Sequence, residues 1–171
     1  RGWRGLERKE PKIVLAMISH VWLSEMEGSA TLLFRYIYKS FGVRGSIALD
    51  FADPDVMEVR QVARKVSHER HYVIEFIRFQ KTRDGVYFGV TGPIYNVLPL
   101  TTGYFRERYG DQCWAVYDEK RGYGYYYDLQ QVSEITLDDE DAIVEGKLNT
   151  LLVATEELLF QSLWKNYFRS V

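Results

Sequence analysis

The spacing of the apolar residues changes once along the chain, and this change limits the possible folds more than any other feature. Up to about residue 74, apolar residues recur three and four positions apart, which is typical of amphipathic helices. From residue 75 onward, apolar and polar residues mostly alternate, which is typical of strands that bury one face. We therefore predict a helical lobe, residues 1–74, followed by a lobe of hairpin, helix, hairpin and helix, residues 75–171.

The first lobe contains three clear helical patterns. Pro11 fits a first helical turn, because a residue there needs no hydrogen-bonded N–H. A second helix ends near Gly42. Asp53 followed by Pro54 is a strong start signal for the third helix, since the aspartate can cap it and the proline tolerates the first position. We predict that this third helix runs from Pro54 to about His71. Its apolar stripe comprises Val56, Val59, Val62, Ala63, Val66 and Val73.

The first hairpin is predicted from the pair Asp84-Gly85 between two alternating runs, 76–82 and 86–91. Asp-Gly in such a position favours a two-residue turn. With that turn, one apolar face holds Ile77, Phe79, Phe88 and Val90, and the other face holds Arg78, Gln80, Thr82 and Tyr87.

The second hairpin is predicted within residues 113–128, with its turn in 119–122. Strand alternation places Tyr123, Tyr125 and Tyr127 on one side and Tyr126 on the other. At least one side is expected to be core, so only some of these rings can form an exposed stacking platform.

The fold class predicted is α+β, with the helical N-terminal half packed on an antiparallel sheet built from the two hairpins. A connecting helix is expected between Asn96 and Tyr109, beginning near Leu98, and a C-terminal helix capped by Thr155 completes the cover. The chain of 171 residues includes 13 Tyr, 9 Phe and 4 Trp, which is enough aromatic area for one well-packed domain, residues 1–171. Because it opens with Arg1 in a helical pattern, we expect a fragment of a longer protein.

Charge is distributed unevenly although the net charge is only −2. Residues 60–83 hold seven Arg or Lys against two Glu, and residues 134–157 hold eight Asp or Glu against one Lys. A local positive field attracts an acidic partner such as DNA, whereas two solvated surfaces that aid solubility are the simpler interpretation.

Several function classes lose support from missing features. Cys113 is the single cysteine, which excludes an internal disulfide or a Cys-rich metal site and favours the reducing cytoplasm. No apolar run reaches membrane-spanning length, so no membrane partner is expected. Walker A, G-x-G-x-x-G and G-x-S-x-G patterns are absent, and no cofactor is predicted.

Three stretches of the chain resemble a bacterial family of unknown function labelled as probable DNA metabolism proteins. These are the segment around Asn96–Leu100, the segment Trp114–Asp128 and the C-terminal motif Leu163-Trp164-Lys165. The similarity extends over nearly the whole chain. The resemblance implies a role in DNA repair or modification, beside a partner radical-SAM protein or uracil-DNA glycosylase-like domains. It brings no catalytic residues with it.

The first candidate site is His68-x-x-His71, on the predicted polar face of the third helix with Arg60 and Arg64. Two histidines at this spacing can reach one metal ion, but a third ligand is missing and the arginines oppose a cation. Contact with phosphate groups suits His and Arg better. A solvated helix end is the remaining alternative.

The second candidate is the turn containing Lys120, Arg121 and Tyr123, which could join phosphate attraction to base stacking. An ordinary charged hairpin tip is its rival. Asp118 could act as a general base or metal ligand, although one carboxylate is weak evidence.

Two polar residues outside these sites have simpler alternatives. Asn96 could read a base edge, but a helix cap is the commoner role of Asn before Leu-Pro. His20 is expected to be buried or half-buried in an apolar helix.

We therefore expect an accessory DNA-metabolism protein that binds nucleic acid or a DNA-modifying partner. The predicted contact residues are Arg60, Arg64, His68, His71, Arg78, Asn96, Lys120, Arg121 and Tyr123. The alternatives are a nucleic-acid-processing enzyme that uses His68, His71 and Asp118, and a purely protein-binding partner of a radical-SAM protein.

Overall fold

A computed structural model describes residues 2–82, 85–137, 143–144 and 147–148. Within these residues it contains five α-helices and a five-stranded mixed sheet, so the predicted α+β class is confirmed. The described residues form two compact units. The helical unit comprises residues up to 69 together with 95–97, and the sheet unit comprises 70–94 and the described residues from 98 onward. In the described part of the chain, no helix is long and apolar enough to cross a membrane.

The N-terminal half forms four helices, in agreement with its apolar spacing. They are α1 (Gly2–Lys9), α2 (Lys12–Leu23), α3 (Ser29–Gly42) and α4 (Pro54–Phe76). The predicted starts near Pro11 and at Pro54 and the predicted end at Gly42 are confirmed. Helix α4 continues past the predicted end at His71, because neither a Gly nor a Pro interrupts the sequence there.

Helix α4 begins where it does because Asp53 caps it. The Asp53 Oδ1 accepts hydrogen bonds from the backbone N–H groups of Asp55, at 2.8 Å, and Val56, at 3.4 Å. Lys39 Nζ lies 2.7 Å from Asp53 Oδ2 and 2.7 Å from Asp55 Oδ2, and Arg35 Nε lies 2.9 Å from Asp55 Oδ1. The hydrogen bond from Lys39 holds the pKa of each carboxyl below its ordinary value.

The core of the helical unit is formed by one stripe of α4 against the three preceding helices. Val56, Val59 and Val66 are fully buried, and Val62 and Ala63, also in the predicted stripe, are buried too. Val73, the last residue of the stripe, is buried as well but belongs to the sheet unit. Val56, Val59, Val62 and Ala63 cluster with apolar residues of α1, α2 and α3. Full burial of one valine side chain contributes roughly 1.5 kcal/mol or more, so this stripe explains why a helix forms here.

The sheet follows the strand order β1-β2-β3-β4-β5. Its strands are Phe79–Lys81, Tyr87–Thr91, Trp114–Asp118, Tyr123–Tyr127 and Val132–Ile135. The two predicted hairpins, β1–β2 and β3–β4, are present, and β5 extends the sheet as expected. The strands β2 and β3 are parallel, so the sheet is mixed rather than wholly antiparallel. The segment that connects β2 to β3, residues 92–113, is 22 residues long. Two adjacent parallel strands need a long crossover connection of this kind.

The register of the first hairpin differs from the prediction by one residue. Thr82 N donates to Val86 O at 2.8 Å, so three residues lie between this closing pair where a turn of two was expected, and Gly85 has a φ of +86°. Phe79 consequently pairs with Gly89, and Gln80 with Phe88.

A shift of one residue moves every side chain of a strand to the other face. Phe79 therefore shares its cluster with Tyr87, and Phe88 lies in the opposite cluster, so the predicted common face of Phe79 and Phe88 is wrong. Asp84, on which the two-residue turn was based, lies outside the described residues.

Both faces of the sheet are covered, which explains its high aromatic content. One face carries Phe88, Ala115, Tyr117 and Ile135, with Tyr126 packed beside them. The other carries Trp114, Val116 and Tyr127, with Tyr123 and Tyr125 packed beside them. The predicted alternation of the tyrosine run is confirmed, and none of its rings is fully exposed.

The connection between β2 and β3 is helical in two short pieces. A 3₁₀ helix, Leu98–Leu100, is followed by α5, Thr102–Arg108, so the predicted helix starts at the expected residue but is broken at Thr101. Within the acidic region 134–157, Ile143–Val144 and Lys147–Leu148 pair as two short antiparallel strands, β6 and β7. The predicted helix after Thr155 lies outside the described residues.

Candidate functional site

The polar side of α4 carries a row of basic residues at helical spacing. Arg60, Arg64 and His68 follow one another at intervals of four, and His71 follows three residues later. Residues at these intervals project from the same side of a helix. Arg64, His68 and His71 are exposed and Arg60 is half-buried, so the prediction that neither histidine belongs to the core is confirmed.

An open groove of about 470 Å³ runs between α2 and α4 in the helical unit. Its polar lining comes from His20 on α2 and from α4, and its apolar lining includes Ile13, Met17 and Met57. The polar residues of α4 that line the groove are Arg60, Gln61, Arg64 and Ser67. Two guanidinium groups and an imidazole thus border a cleft that has no carboxylate among its described lining residues. Such a lining attracts anions.

The guanidinium of Arg60 is fixed in position by two contacts. Its Nη1 donates to the Ala48 carbonyl oxygen at 3.3 Å, and its Cζ lies 4.9 Å from the centre of the Phe51 ring. An arginine held by a carbonyl and an aromatic face loses less side-chain entropy when it binds a further group. Arg60 is therefore pre-oriented at the groove, whereas the exposed Arg64 is not held in this way by any contact shown for it in the described residues.

His20 is half-buried, as predicted, but its place in the groove was not foreseen. Its spacing from Ile13 and Met17 gives three residues on one side of α2. The exposure of Ile13, at 72%, shows that this side is open to solvent rather than packed. The helical spacing in the sequence already placed His20 on the same side of α2 as Ile13 and Met17. It could not show which other helix forms the opposite wall of the groove.

The other described basic residues of the 60–83 region are not among the residues that line the groove. Arg70 Nε donates to the Leu100 carbonyl oxygen at 2.7 Å, which makes it a structural residue of the sheet unit. Arg78 is exposed, at the connection between α4 and β1. Arg83 lies outside the described residues. Among the predicted residues, the helical unit therefore brings together Arg60 and Arg64 with His20.

Asp118 organises the turn between β3 and β4. Its side chain is completely buried, and its Oδ1 accepts from the backbone N–H groups of Lys120, at 3.0 Å, and Arg121, at 3.3 Å. Its Oδ2 lies 2.8 Å from Arg121 Nη1. A carboxylate with no exposure and three donors is poorly placed to act as a base or to bind a metal. The geometry gives the enzyme hypothesis no support at this residue.

Arg121 joins the turn to the segment that follows β2. Its Nη1 donates to the Pro93 carbonyl oxygen at 3.2 Å and its Nη2 to that of Ile94 at 3.0 Å. Lys120 Nζ also donates to Pro93 O, at 3.4 Å. These contacts occupy much of the guanidinium within the protein, so a structural role explains Arg121 without a phosphate.

Tyr123 has limited surface for base stacking. The residue is half-buried, and its ring meets that of Tyr125 edge-to-face at 5.8 Å between centres. Burial, and next the neighbouring Tyr125, raise the pKa of the Tyr123 hydroxyl well above its ordinary value. The turn therefore brings Asp118, Lys120, Arg121 and Tyr123 together, as the sequence implied, but mainly through contacts within the protein.

Asn96 belongs to the helical unit and contacts the end of α2. Its Nδ2 donates to Glu25 Oε1 at 3.0 Å, and its backbone N donates to the Leu23 carbonyl oxygen at 3.0 Å. The first helical residue of the next segment is Leu98. The side chain of Asn96 thus ties residues 95–97 to the loop after α2.

Metal-ligating residues do not converge in the part of the chain that the structure describes. No group of three or more His, Cys, Asp or Glu side chains there could hold a metal ion. His68 and His71 remain two neighbouring imidazoles without a third ligand among those residues. Their hypothesised catalytic role stays a prediction.

Comparison with protein-family models matches residues 27–171 to a domain of unknown function, DUF4130. The matched range includes α3, α4 and the complete five-stranded sheet. Neither a curated protein nor a solved structure matches the chain significantly.

Proposed function

We propose that this chain, which belongs to DUF4130, a family described as a domain of unknown function, binds the phosphate backbone of nucleic acid through the groove between α2 and α4. One observation carries the proposal: Arg60, Arg64 and His20 line a single groove, and none of the described residues that line it is a carboxylate. The charge pattern and the resemblance to DNA metabolism proteins are consistent with the same ligand.

The groove suits a nucleic-acid strand because it combines two kinds of contact. Arg60 and Arg64 can donate to phosphate oxygens, and arginine does so with two parallel N–H groups. The apolar walls formed by Met17 and Met57 can face sugar or base carbons. Phosphate contacts carry little sequence information, so we expect binding that depends strongly on salt and weakly on sequence.

His68 extends the basic row one turn beyond Arg64. Each four-residue step advances about 6 Å along a helix, so the row from Arg60 to His68 covers about 12 Å. We expect His68 to add an N–H donor for a further phosphate group along the strand. We place this accessory role in the cytoplasm, where a lone thiol such as that of Cys113 stays reduced.

The proposal is tested by titrating the protein with single-stranded and double-stranded DNA at two salt concentrations. We expect affinity to fall steeply with salt, and the double variant Arg60→Gln/Arg64→Gln to reduce the slope of log K against log salt by about 2. Lys65→Gln is the matched control, because Lys65 is an exposed cation on the same helix that does not line the groove.

Two results would refute the groove as the binding site. One is DNA binding that is absent or insensitive to salt. The other is an equal loss of affinity in Lys65→Gln and in the double variant. In the latter case the positive charge of the helix as a whole would explain binding.

A second candidate function, docking of a partner protein, is favoured by an apolar groove between α2 and α3. This groove has a volume of about 570 Å³, and its lining includes Trp22 and Phe34, which are 64% and 70% exposed. Large exposed apolar side chains that lie together mark interaction surfaces. The partner would be the DNA-modifying enzyme that the resemblance implies, a radical-SAM protein or a uracil-DNA glycosylase-like protein.

Binding of the purified partner to Trp22→Ser and Phe34→Ser variants tests this second function. We expect at least a tenfold loss in each, because large aromatic side chains dominate interface energies. Exposed Leu49→Ser, outside the groove, is the control. Unchanged affinity in both aromatic variants would exclude this surface.

A further inference from the structure

The sheet unit contains a cavity of about 240 Å³ whose lining is almost entirely aromatic. It is bounded by Phe79 of β1, Tyr87 of β2, Trp114 of β3, and Tyr109 and Gln112 of the crossover. Tyr87 and Trp114 are register partners on neighbouring strands, and the Phe79 and Tyr109 rings meet edge-to-face at 5.8 Å. The volume lies below the roughly 300–1,000 Å³ of pockets for drug-sized ligands, so it suits one planar ring system.

Trp114, one of the residues that line this cavity, has an indole N–H without a hydrogen-bond partner among the described residues. The residue is 1% exposed, and its Nε1–H makes no hydrogen bond in the described part of the protein. A buried donor without an acceptor is uncommon and costly, and a ligand is one of the few explanations for it. Gln112, half-buried at the same cavity, adds an amide that can both donate and accept.

Two cations stand beside the aromatic walls. Lys81 Nζ lies 5.4 Å from the centre of the Tyr87 ring, and Arg108 Cζ lies 5.7 Å from that of the Tyr109 ring. Lys81 and Arg108 are exposed, so their charges can meet a group that extends from the cavity into solvent. A ligand made of an aromatic ring with an attached anionic group would therefore match both features: its ring would face the aromatic walls, and its charge would face Lys81 or Arg108.

From these three observations we propose that this cavity binds a nucleobase that carries a neighbouring phosphate. The ring would lie against the aromatic walls, and an acceptor atom of the base would take the hydrogen bond of Trp114 Nε1–H. The Gln112 amide would pair with the edge of the base, and Lys81 or Arg108 would contact the phosphate. All of these residues belong to the sheet unit, so the proposal does not depend on the groove between α2 and α4.

The same chemistry can come from two sources, a free mononucleotide or an unstacked base of a single strand. Bases that leave a stack are held in this manner by aromatic side chains and by hydrogen bonds to their edges. The experiment therefore compares thymidine 5′-phosphate and deoxyadenosine 5′-phosphate with a six-residue single-stranded DNA. Ribose 5-phosphate serves as the ligand that has the phosphate but lacks the base.

The signal to follow is the Trp114 indole N–H resonance of the isotope-labelled protein, assigned from its loss in Trp114→Phe. We expect ligands with a base to shift this resonance in a saturable manner, and ribose 5-phosphate to leave it unchanged. If only the oligonucleotide acts, the source is a strand; if the mononucleotides act equally well, the source is a free nucleotide. Both results support the proposed chemistry.

Variants then assign the contacts. Tyr87→Leu and Tyr109→Leu are expected to weaken binding about tenfold, the size of a lost stacking contact. Tyr104→Leu is the matched control, because Tyr104 is an aromatic residue of α5 that does not line the cavity. Gln112→Leu tests the amide and remains informative if Trp114→Phe does not fold.

The proposal is overturned if no ligand with a base shifts the Trp114 resonance, or if ribose 5-phosphate shifts it equally. It is also overturned if Tyr104→Leu weakens binding as much as the cavity variants do. Failure of the backbone-binding proposal would be recognised separately, since Arg60→Gln/Arg64→Gln alters the groove of the helical unit and leaves every cavity residue unchanged.

Discussion

Replacing Asp118 by alanine should destabilise the sheet unit by about 3–5 kcal/mol. The carboxylate is completely buried and accepts three hydrogen bonds, two from the turn backbone and one from the Arg121 guanidinium. A hydrogen bond to a charged group contributes about 1.5–3 kcal/mol, and the longer bonds, at 3.0 and 3.3 Å, belong at the lower end. In the alanine variant, Arg121 still donates hydrogen bonds to the carbonyl oxygens of Pro93 and Ile94. The loss of its carboxylate partner therefore adds little further destabilisation.

Asp118→Asn separates the turn contacts from the ion pair. The asparagine retains an oxygen for the two backbone N–H groups but loses the charge that faces Arg121, so we expect about half the effect, roughly 2 kcal/mol. Asp111→Ala is the control, because this exposed carboxylate makes only a weak contact, at 3.4 Å, with Gln112. Its effect should stay within about 0.5 kcal/mol.

Urea unfolding followed by amide hydrogen exchange in β3 and β4 measures these effects in the sheet unit itself. The expected order of stability is wild type, then Asp118→Asn, then Asp118→Ala. An alanine variant that loses less than about 1 kcal/mol would contradict the structural role of Asp118. Catalysis or ligand binding would then become the better explanation for its burial.

Two further predictions concern the packing of the sheet and the response to acid. A Cβ added at Gly124 would lie 2.4 Å from the Val116 carbonyl oxygen, so Gly124→Ala should lower the free energy of unfolding by about 3 kcal/mol. Gly103→Ala, where nothing lies within 4 Å, should cause no loss, and equal effects in the two variants by thermal unfolding would contradict this reasoning. Because Lys39 holds the pKa of the Asp55 carboxyl below its ordinary value, that carboxylate stabilises the folded helical unit above about pH 4. This contribution is lost as pH falls through the lowered pKa of Asp55 in the folded state. Lys39→Gln should therefore make the circular dichroism signal depend less on acid pH. An acid profile unchanged by this substitution would refute the link.

Local features of the fold could be predicted from the sequence because their causes are local. The Asp53 cap, the stripe of buried valines on α4 and the alternation of Tyr123 to Tyr127 each depend on residues within a few positions of one another. Each was found where the spacing placed it. The exposure of His68 and His71 follows from the same spacing.

Features that depend on distant residues could not be predicted in this way. The face of the sheet on which Phe79 and Phe88 lie changes when the hairpin turn is one residue longer. The parallel pairing of β2 with β3 depends on the path of the crossover between them. His20 and Arg60 line the same groove although they share no local sequence pattern. A charged turn residue such as Asp118 gives no sequence signal of its complete burial, because burial depends on the segment that packs over it.

The parallel pairing of β2 with β3 has a kinetic consequence. Hairpins close short loops and form within about 1–10 μs, whereas this pairing must first bring together strand ends separated by the whole crossover. Tyr87 and Trp114 are partners across that pairing, so we expect the aromatic cavity to form late in folding. A ligand that occupies it should therefore slow the unfolding of the sheet unit and leave its folding rate unchanged.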